Sequence, residues 1–321
     1  MYPWNESQWS GISKRMLAGR LPHALLLNGP KGLGKSAFAQ DLARALLCLQ
    51  RDDQGHACGQ CKSCLLIEAG SHPDIHEVMP EEAGKAIKVD QVRELSDVMS
   101  RKSQLSGFRV CIINPAEAMN ANAANALLKT LEEPGADSLI MLVSSESSKL
   151  TATIRSRCQL INFTPPSSEA SEIWLKEQGV KDDLQLLLGL SSYAPLEAMV
   201  YVSENRLQLR TEFLNEFLGL KTGVQNPLQM ADKWYKKAPG HCVQWMMSWV
   251  MDLIRLKSTS TVPRLMNRDV QEHLQPLAKQ LNLKNLFVML DKCQTSNRQL
   301  STQVNVQLMM EDLFITWIKT R

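Results

Sequence analysis

The segment Gly29-Pro30-Lys31-Gly32-Leu33-Gly34-Lys35-Ser36 constrains this chain more than any other. An apolar run, Ala24 to Asn28, precedes it, and a helical pattern from Ser36 to about Leu47 follows. A strand, a glycine loop closing on Lys-Ser, and a helix together make a phosphate cradle. The glycines let the backbone wrap closely, so that successive N–H groups point inward. The helix start adds partial positive charge. In such a cradle Gly29, Gly32 and Gly34 shape the loop, Lys35 reaches the β- and γ-phosphates, and the Ser36 hydroxyl binds magnesium. A glycine turn that merely feeds a helix does not account for the full pattern with both flanks.

Further strands are predicted at Ile75 to Met79, Arg109 to Ile113, Leu139 to Val143 and Gln159 to Phe163, with helices at Val89 to Met99 and Asn122 to Leu131. Strands alternating with helices predict an α/β domain with a mostly parallel sheet covered on both faces. Thr164-Pro165-Pro166-Ser167-Ser168 breaks that pattern. Beyond it the sequence is helical to the end, first as a small bundle (Ser168 to Gly179, Asp182 to Leu190, Leu196 to Glu204) and then, from about Arg206, as longer helices. Trp245, Trp249, Leu253 and Leu256 share a helical face, as do Met309, Leu313, Phe314 and Trp317. Such stripes are most simply core. The expected division is 1–164, 165–205 and 206–321.

Composition narrows the function classes. The net charge of +3 over 321 residues gives no case for nucleic-acid binding by itself. No run reaches the length of a membrane span; Trp245 to Ile254 is short and contains Asp252. Met1-Tyr2-Pro3-Trp4-Asn5-Glu6 lacks the basic start and apolar stretch of a secretory signal, so a cytoplasmic setting is the expectation. In that compartment 8 cysteines do not suggest disulfides. Cys111, Cys158, Cys242 and Cys293 are scattered and read as small buried hydrophobes.

The other four are clustered. Cys58, Cys61 and Cys64 are separated by two-residue gaps, and Cys48 precedes them. Two-residue gaps let one turn present consecutive ligands, and four thiolates suit tetrahedral zinc with no position left for water, so the role is structural. Gly55 and Gly59 give the loop room to bend, and His56 is a spare ligand that four sulfurs make unnecessary. An iron–sulfur cluster takes the same ligands and stays open as an alternative.

The strand that ought to carry a magnesium acid reads Val110-Cys111-Ile112-Ile113-Asn114-Pro115. A hydrolysing site of this kind needs a carboxylate at that strand end. Asparagine offers only a neutral oxygen, and proline can neither accept a proton nor orient water. Glu117 lies beyond the proline, out of step with the strand end. The residues therefore predict a nucleotide fold that binds without turnover. Ser156-Arg157-Cys158 falls between the fourth and fifth strands. Taken alone, Arg157 is a loop arginine paired with a local carboxylate; at a domain edge it can also reach a phosphate bound to a neighbouring subunit.

These residues resemble the clamp-loader branch of the AAA+ ATPases. The resemblance is carried by Leu21-Pro22-His23-Ala24-Leu25-Leu26-Leu27, the glycine loop, the four-cysteine insert, Gly70-Ser71-His72-Pro73-Asp74, Ala123-Ala124-Asn125-Ala126-Leu127-Leu128-Lys129-Thr130-Leu131-Glu132-Glu133-Pro134, and Ser156-Arg157-Cys158. They cover roughly the first half of the chain. The resemblance implies an AAA+ P-loop domain over 1–164 with a zinc module at 48–64, a helical lid over 165–205 and an all-α collar over 206–321 that holds subunits together. It implies an accessory, non-hydrolysing subunit of the DNA polymerase III holoenzyme, within a pentamer that opens the ring-shaped sliding clamp and places it on primed DNA. The implied partners are motor subunits, a delta-type clamp-opening subunit and, through the assembled complex, the clamp and DNA, with no membrane. ATP or ADP would bind without hydrolysis. No catalytic residue acts in cis, and Arg157 becomes an arginine finger acting in trans. Ser144 or Ser145 falls at the polar γ-phosphate sensor, and Leu196, after Pro195, at the place of a second, arginine sensor. Two other readings are an ATP-hydrolysing motor subunit, against which Asn114, Pro115 and Leu196 count, and a zinc-containing DNA-binding module, against which the modest charge counts.

Overall fold

The computed structural model describes residues 1–82, 84–259, 265–300 and 304–320. The chain divides into two compact units, 1–167 with 194–197, and 168–193 with 198–321. The first unit runs α1 (Glu6–Leu17), β1 (Ala24–Asn28), α2 (Lys35–Leu47), α3 (Lys62–Glu68), β2 (Ile75–Val78), α4 (Val89–Met99), β3 (Arg109–Ile113), α5 (Ala121–Glu132), β4 (Ser138–Ser144), α6 (Ala152–Arg157) and β5 (Gln159–Asn162). The strands form one five-stranded sheet in the order β2-β3-β4-β1-β5, every pair parallel. Parallel neighbours need crossover connections, and the intervening helices supply them.

Both faces of the sheet are covered, which explains why its central strands read as unbroken apolar runs. On one face Leu25, Leu27, Val110, Ile112, Leu139 and Met141 pack against Trp9, Ile12 and Met16 of α1 and Phe38 and Leu42 of α2. On the other, Ala24, Leu26, Cys111, Ile113, Ile140 and Leu142 meet Val92, Leu95 and Met99 of α4, Leu127 and Leu131 of α5, and Ile154 of α6. β1 lies between β4 and β5, and β3 lies beside β4. The carboxyl ends of β3, β4 and β1 are therefore neighbours, and the loops that follow them converge.

The motif Gly70-Ser71-His72-Pro73-Asp74 is structural. Asp74 is fully buried. Its carboxylate accepts from the backbone amides of Gln104 (2.7 Å), Leu105 (2.8 Å) and Ser106 (3.3 Å), fixing the turn that feeds β3. His72 Nδ1 accepts the Asp74 N–H at 3.1 Å, so Nε2 carries the proton and donates to Ser63 Oγ at 2.9 Å. Ser63 in turn donates to Leu47 O at 2.6 Å. One chain of hydrogen bonds thus ties the cysteine insert to the end of α2 and the start of β2.

The second unit holds α7 (Ser168–Glu177), α8 (Leu184–Leu190) and α9 (Pro195–Ser203), whose first residues belong to the first unit, then α10 (Arg206–Thr222), α11 (Pro227–Lys237), α12 (Pro239–Ser258), α13 (Gln271–Gln280), α14 (Leu283–Gln299) and α15 (Val306–Lys319). Both aromatic stripes are core: Trp245, Trp249 and Leu253 of α12 and Met309, Leu313, Phe314 and Trp317 of α15 are buried, while Leu256 packs partly buried at the margin. Phe217 stacks on Trp317 at 4.4 Å between ring centroids, close contact at the short end for aromatic pairs. Cys111, Cys158, Cys242 and Cys293 are buried thiols, and burial pushes all four pKa values up. Among the described residues no single helix is long and apolar enough to cross a membrane.

Replacing Asp74 by alanine strands three backbone amides and is expected to cost about 2 kcal/mol of unfolding free energy. Urea titration of the two proteins measures this, and a difference below about 0.5 kcal/mol, the scatter of ordinary surface substitutions, would refute the bracing role.

Candidate functional site

The glycine loop occupies the carboxyl end of β1 and opens into α2. Gly29, Gly32 and Gly34 have φ of 152°, 79° and 81°. Each is also closely overlaid. A Cβ on Gly29 would lie 2.2 Å from Phe163 O, on Gly32 2.6 Å from Glu197 N, and on Gly34 2.4 Å from the Tyr2 ring. The first turn of α9 closes one side of the loop, where Leu196 N–H donates to Gly32 O at 3.2 Å. Leu196 thus lies against the loop but offers it no cationic group. The residue beside it is acidic, and Glu197 is 4.0 Å from Lys31 Nζ.

Lys35 is buried. Its ammonium donates to Gly29 O (2.7 Å), Pro30 O (2.6 Å) and Ser145 Oγ (3.1 Å), so the cradle is satisfied from within. Burial draws the Lys35 pKa down to about 8, against the opposing pull of the Glu117 carboxylate. Ser145 follows β4, and its N–H donates to Glu117 Oε1 at 3.0 Å. Glu117 is therefore turned back into the site despite its place past the strand end. Its second oxygen is buried and has no hydrogen-bond partner among the described residues. Ser144, the other sensor candidate, is fully buried, and its hydroxyl accepts from Glu146 N at 3.2 Å. Asn114, at the end of β3, donates through Nδ2 to Ser36 Oγ at 3.0 Å.

The four clustered cysteines converge. Their sulfurs all lie within 4.8 Å of one another, with Cys48–Cys58 at 3.6 Å, Cys48–Cys61 at 3.9 Å and Cys61–Cys64 at 3.5 Å. A tetrahedron built on metal–sulfur bonds of about 2.3 Å has edges of about 3.8 Å, so the donor set fits a tetrahedral ion. Cys48 follows α2, Cys61 caps the start of α3, and Cys64 lies in its first turn. Gly55 and Gly59, with φ of 83° and 74°, make the bends between them. The Cys48 sulfur accepts the N–H groups of Gln50 (3.4 Å) and Cys58 (3.3 Å). Burial raises the Cys61 thiol, but amide and thiol hydrogen bonds outweigh it and bring its pKa to about 6. Burial pushes Cys64 the other way, up to about 12, so without a metal the proton is shared unequally within the cluster; a bound metal needs all four as thiolates. His56 is not among the donors; it stacks on Trp9 with centroids 4.8 Å apart.

Arg157 lies on the far side of the sheet from α1 and α2, as the last residue of α6. Ile154 and Cys158 are buried in the sheet's second core and fix the helix on either side of it. Its guanidinium donates to Thr153 O at 3.0 Å and to Glu132 Oε1 at 2.5 Å. Arg157 is 34% exposed. Among the described residues no hydrogen bond or ion pair joins Arg157 to the glycine loop.

Residues 4–167 match the family described as DNA polymerase III, delta subunit, and residues 204–319 match the one described as DNA polymerase III, delta subunit, C terminal. DNA polymerase III subunit delta′ of Pseudomonas aeruginosa is 35% identical over 99% of this chain and 97% of its own length. The Escherichia coli subunit of the same name is 34% identical over 98% and 94%. The Haemophilus influenzae one is 34% identical over 80% and 78%. The chain belongs to the DNA polymerase III delta′ family. Its first unit is an α/β domain with a parallel sheet and a phosphate-type glycine loop, and its described C-terminal region is helical, as the sequence pattern predicts.

Sequence reasoning missed part of this delta′-family site. Trp4 Nε1 and Asn5 Nδ2 both donate to Leu33 O at 3.0 Å, and Tyr2 stacks on Trp4 with centroids 5.0 Å apart, so the chain's first residues brace the glycine loop. The available signal was Tyr2-Pro3-Trp4, an aromatic pair around a proline ahead of an amphipathic helix. Glu117 was set aside on register alone. The 3-10 turn at Ala116–Ala118 reverses its direction.

Protein purified without chelator is expected to carry one metal equivalent per chain by emission spectrometry, to release it below about pH 5 as the thiolates protonate, and to lose it in Cys61→Ser. Less than half an equivalent in the unaltered protein would remove the metal site.

Proposed function

We propose that this chain is the stationary, non-hydrolysing subunit of a cytoplasmic clamp loader, which holds nucleotide as ATP or ADP without cleaving it and completes a neighbour's catalytic site. The observation that carries this reading is the Asn114 amide donating to Ser36 Oγ at 3.0 Å. A hydrolysing site places a carboxylate there to hold magnesium together with that hydroxyl. The Asn114 side chain carries no negative charge and so attracts a divalent cation far less than a carboxylate would, and Pro115 next to it has no group to activate water.

The remaining assignments follow from the same reading. Gly29, Gly32, Gly34, Lys35 and Ser36 hold the nucleotide phosphates. Arg157 acts in trans on a phosphate bound to a motor subunit, where a guanidinium stabilises charge as it develops. Cys48, Cys58, Cys61 and Cys64 hold zinc in a closed structural site, a reading supported by sulfurs close enough together to share one tetrahedral ion. The segment 165–205 serves as a lid, and 206–321 as the collar that joins it to the motor subunits and a delta-type clamp-opening subunit. The sliding clamp and primed DNA are reached through that assembly. One observation favours a motor reading instead: the Glu117 carboxylate stands beside Lys35 with one oxygen unpartnered among the described residues.

Reconstitution with the partner subunits separates the two. DNA-stimulated ATP hydrolysis by the complex is expected to fall by roughly two orders of magnitude or more in Arg157→Ala, as removal of an arginine finger does, and to be largely retained in Lys35→Ala. The reverse pattern would make this chain a motor. A second expectation concerns pH. Free Lys35 has a pKa of about 8, and a bound phosphate favours its charged form. Nucleotide affinity is then full below that value and falls as pH rises through it. Titrations of the isolated chain with ADP between about pH 7 and pH 9.5 test this, and a flat profile contradicts it.

A further inference from the structure

We infer that Glu132 is the positioning residue for Arg157, presenting its guanidinium in one fixed orientation to the neighbouring subunit. The inference rests on the trans-acting reading of Arg157. Glu132 is the last residue of α5. A carboxylate at a helix C-terminus faces the negative end of the helix dipole and is unfavourable for the helix itself. What it gains there is Arg157, whose Nη2 donates to its Oε1 at 2.5 Å.

The pair joins two anchored elements. Leu131, the residue before Glu132, is buried, and its carbonyl accepts from His23 Nε2 at 3.1 Å. Ile154 and Cys158 hold the other side in the same core. Three separate sequence stretches, around His23, Glu132 and Arg157, therefore meet at one corner of the sheet. The second donation, from Arg157 Nη1 to Thr153 O at 3.0 Å, fixes the plane of the guanidinium.

The donor inventory leaves work for the rest of the group. A guanidinium carries five N–H donors in a rigid fork. Two are engaged here among the described residues, which leaves three for a phosphoryl oxygen. A flexible arginine must lose its rotamer freedom when it binds phosphate; one already held by Glu132 and Thr153 has lost it in advance. An ordinary surface ion pair would add little to the fold, and with Glu132 at 53% exposure its removal is not expected to change the melting temperature.

The test uses the reconstituted complex. Glu132→Ala is expected to lower kcat for DNA-stimulated ATP hydrolysis roughly tenfold, less than the roughly hundredfold cost of a full 1 Å misplacement, with KM for ATP and assembly unchanged. Glu132→Gln, which keeps a hydrogen-bond acceptor, is expected to lie between it and the unaltered complex. The double variant Glu132→Ala with Arg157→Ala is expected to match Arg157→Ala alone, because Glu132 acts only through that arginine. Glu133→Ala serves as the control and is expected to leave turnover intact. Normal turnover in Glu132→Ala beside a loss in Arg157→Ala overturns the inference alone. Additive losses in the double variant overturn it too. Normal turnover in Arg157→Ala overturns the trans-acting reading on which it stands.

Discussion

The backbone pairing of β1 with β4 on one side and β5 on the other is the constraint from which the rest follows. It places the glycine loop at the sheet's carboxyl edge, beside the end of β4, with the end of β3 one strand beyond. Ser145 and Asn114 come from strands far from Lys35 and Ser36 in sequence, yet each bonds to one of them. Here Lys35 turns its ammonium onto the loop's own carbonyls, and Tyr2, Trp4 and Asn5 close the outside.

That arrangement agrees with the stationary role proposed above. The end of β3 carries an uncharged amide bonded to the Ser36 hydroxyl, while the opposite corner of the sheet carries an arginine held by Glu132 and Thr153. The cysteine insert belongs to the same logic. It hangs from the end of α2, and the relay Leu47–Ser63–His72–Asp74 makes its position depend on the turn before β3. A metal there would stiffen the sheet edge without touching the nucleotide.

Much of this was legible in the sequence, and the part that was not has a physical pattern. The strands of the sheet and the phosphate loop were readable because their signals are local: unbroken apolar runs, and glycines at fixed offsets from Lys35. The four sulfur ligands were readable because zinc-type spacing is also local. The missing contacts are those between residues far apart in the chain, such as Trp4 with Leu33, Glu117 with Ser145 and Glu132 with Arg157. No periodicity encodes them. The helices α3 and α6, with 7 and 6 residues, are too short to show a clear 3.6-residue period, which is why Arg157 reads as a loop residue in sequence and stands on a helix end in the structure.

Phosphate release by the purified chain alone, supplied with saturating magnesium and ATP, tests the central claim most directly. The expected result is release no faster than in buffer, for the unaltered chain and for Lys35→Ala alike. Steady turnover that Lys35→Ala abolishes would contradict it, and would point to Glu117 as the acid that the strand end lacks.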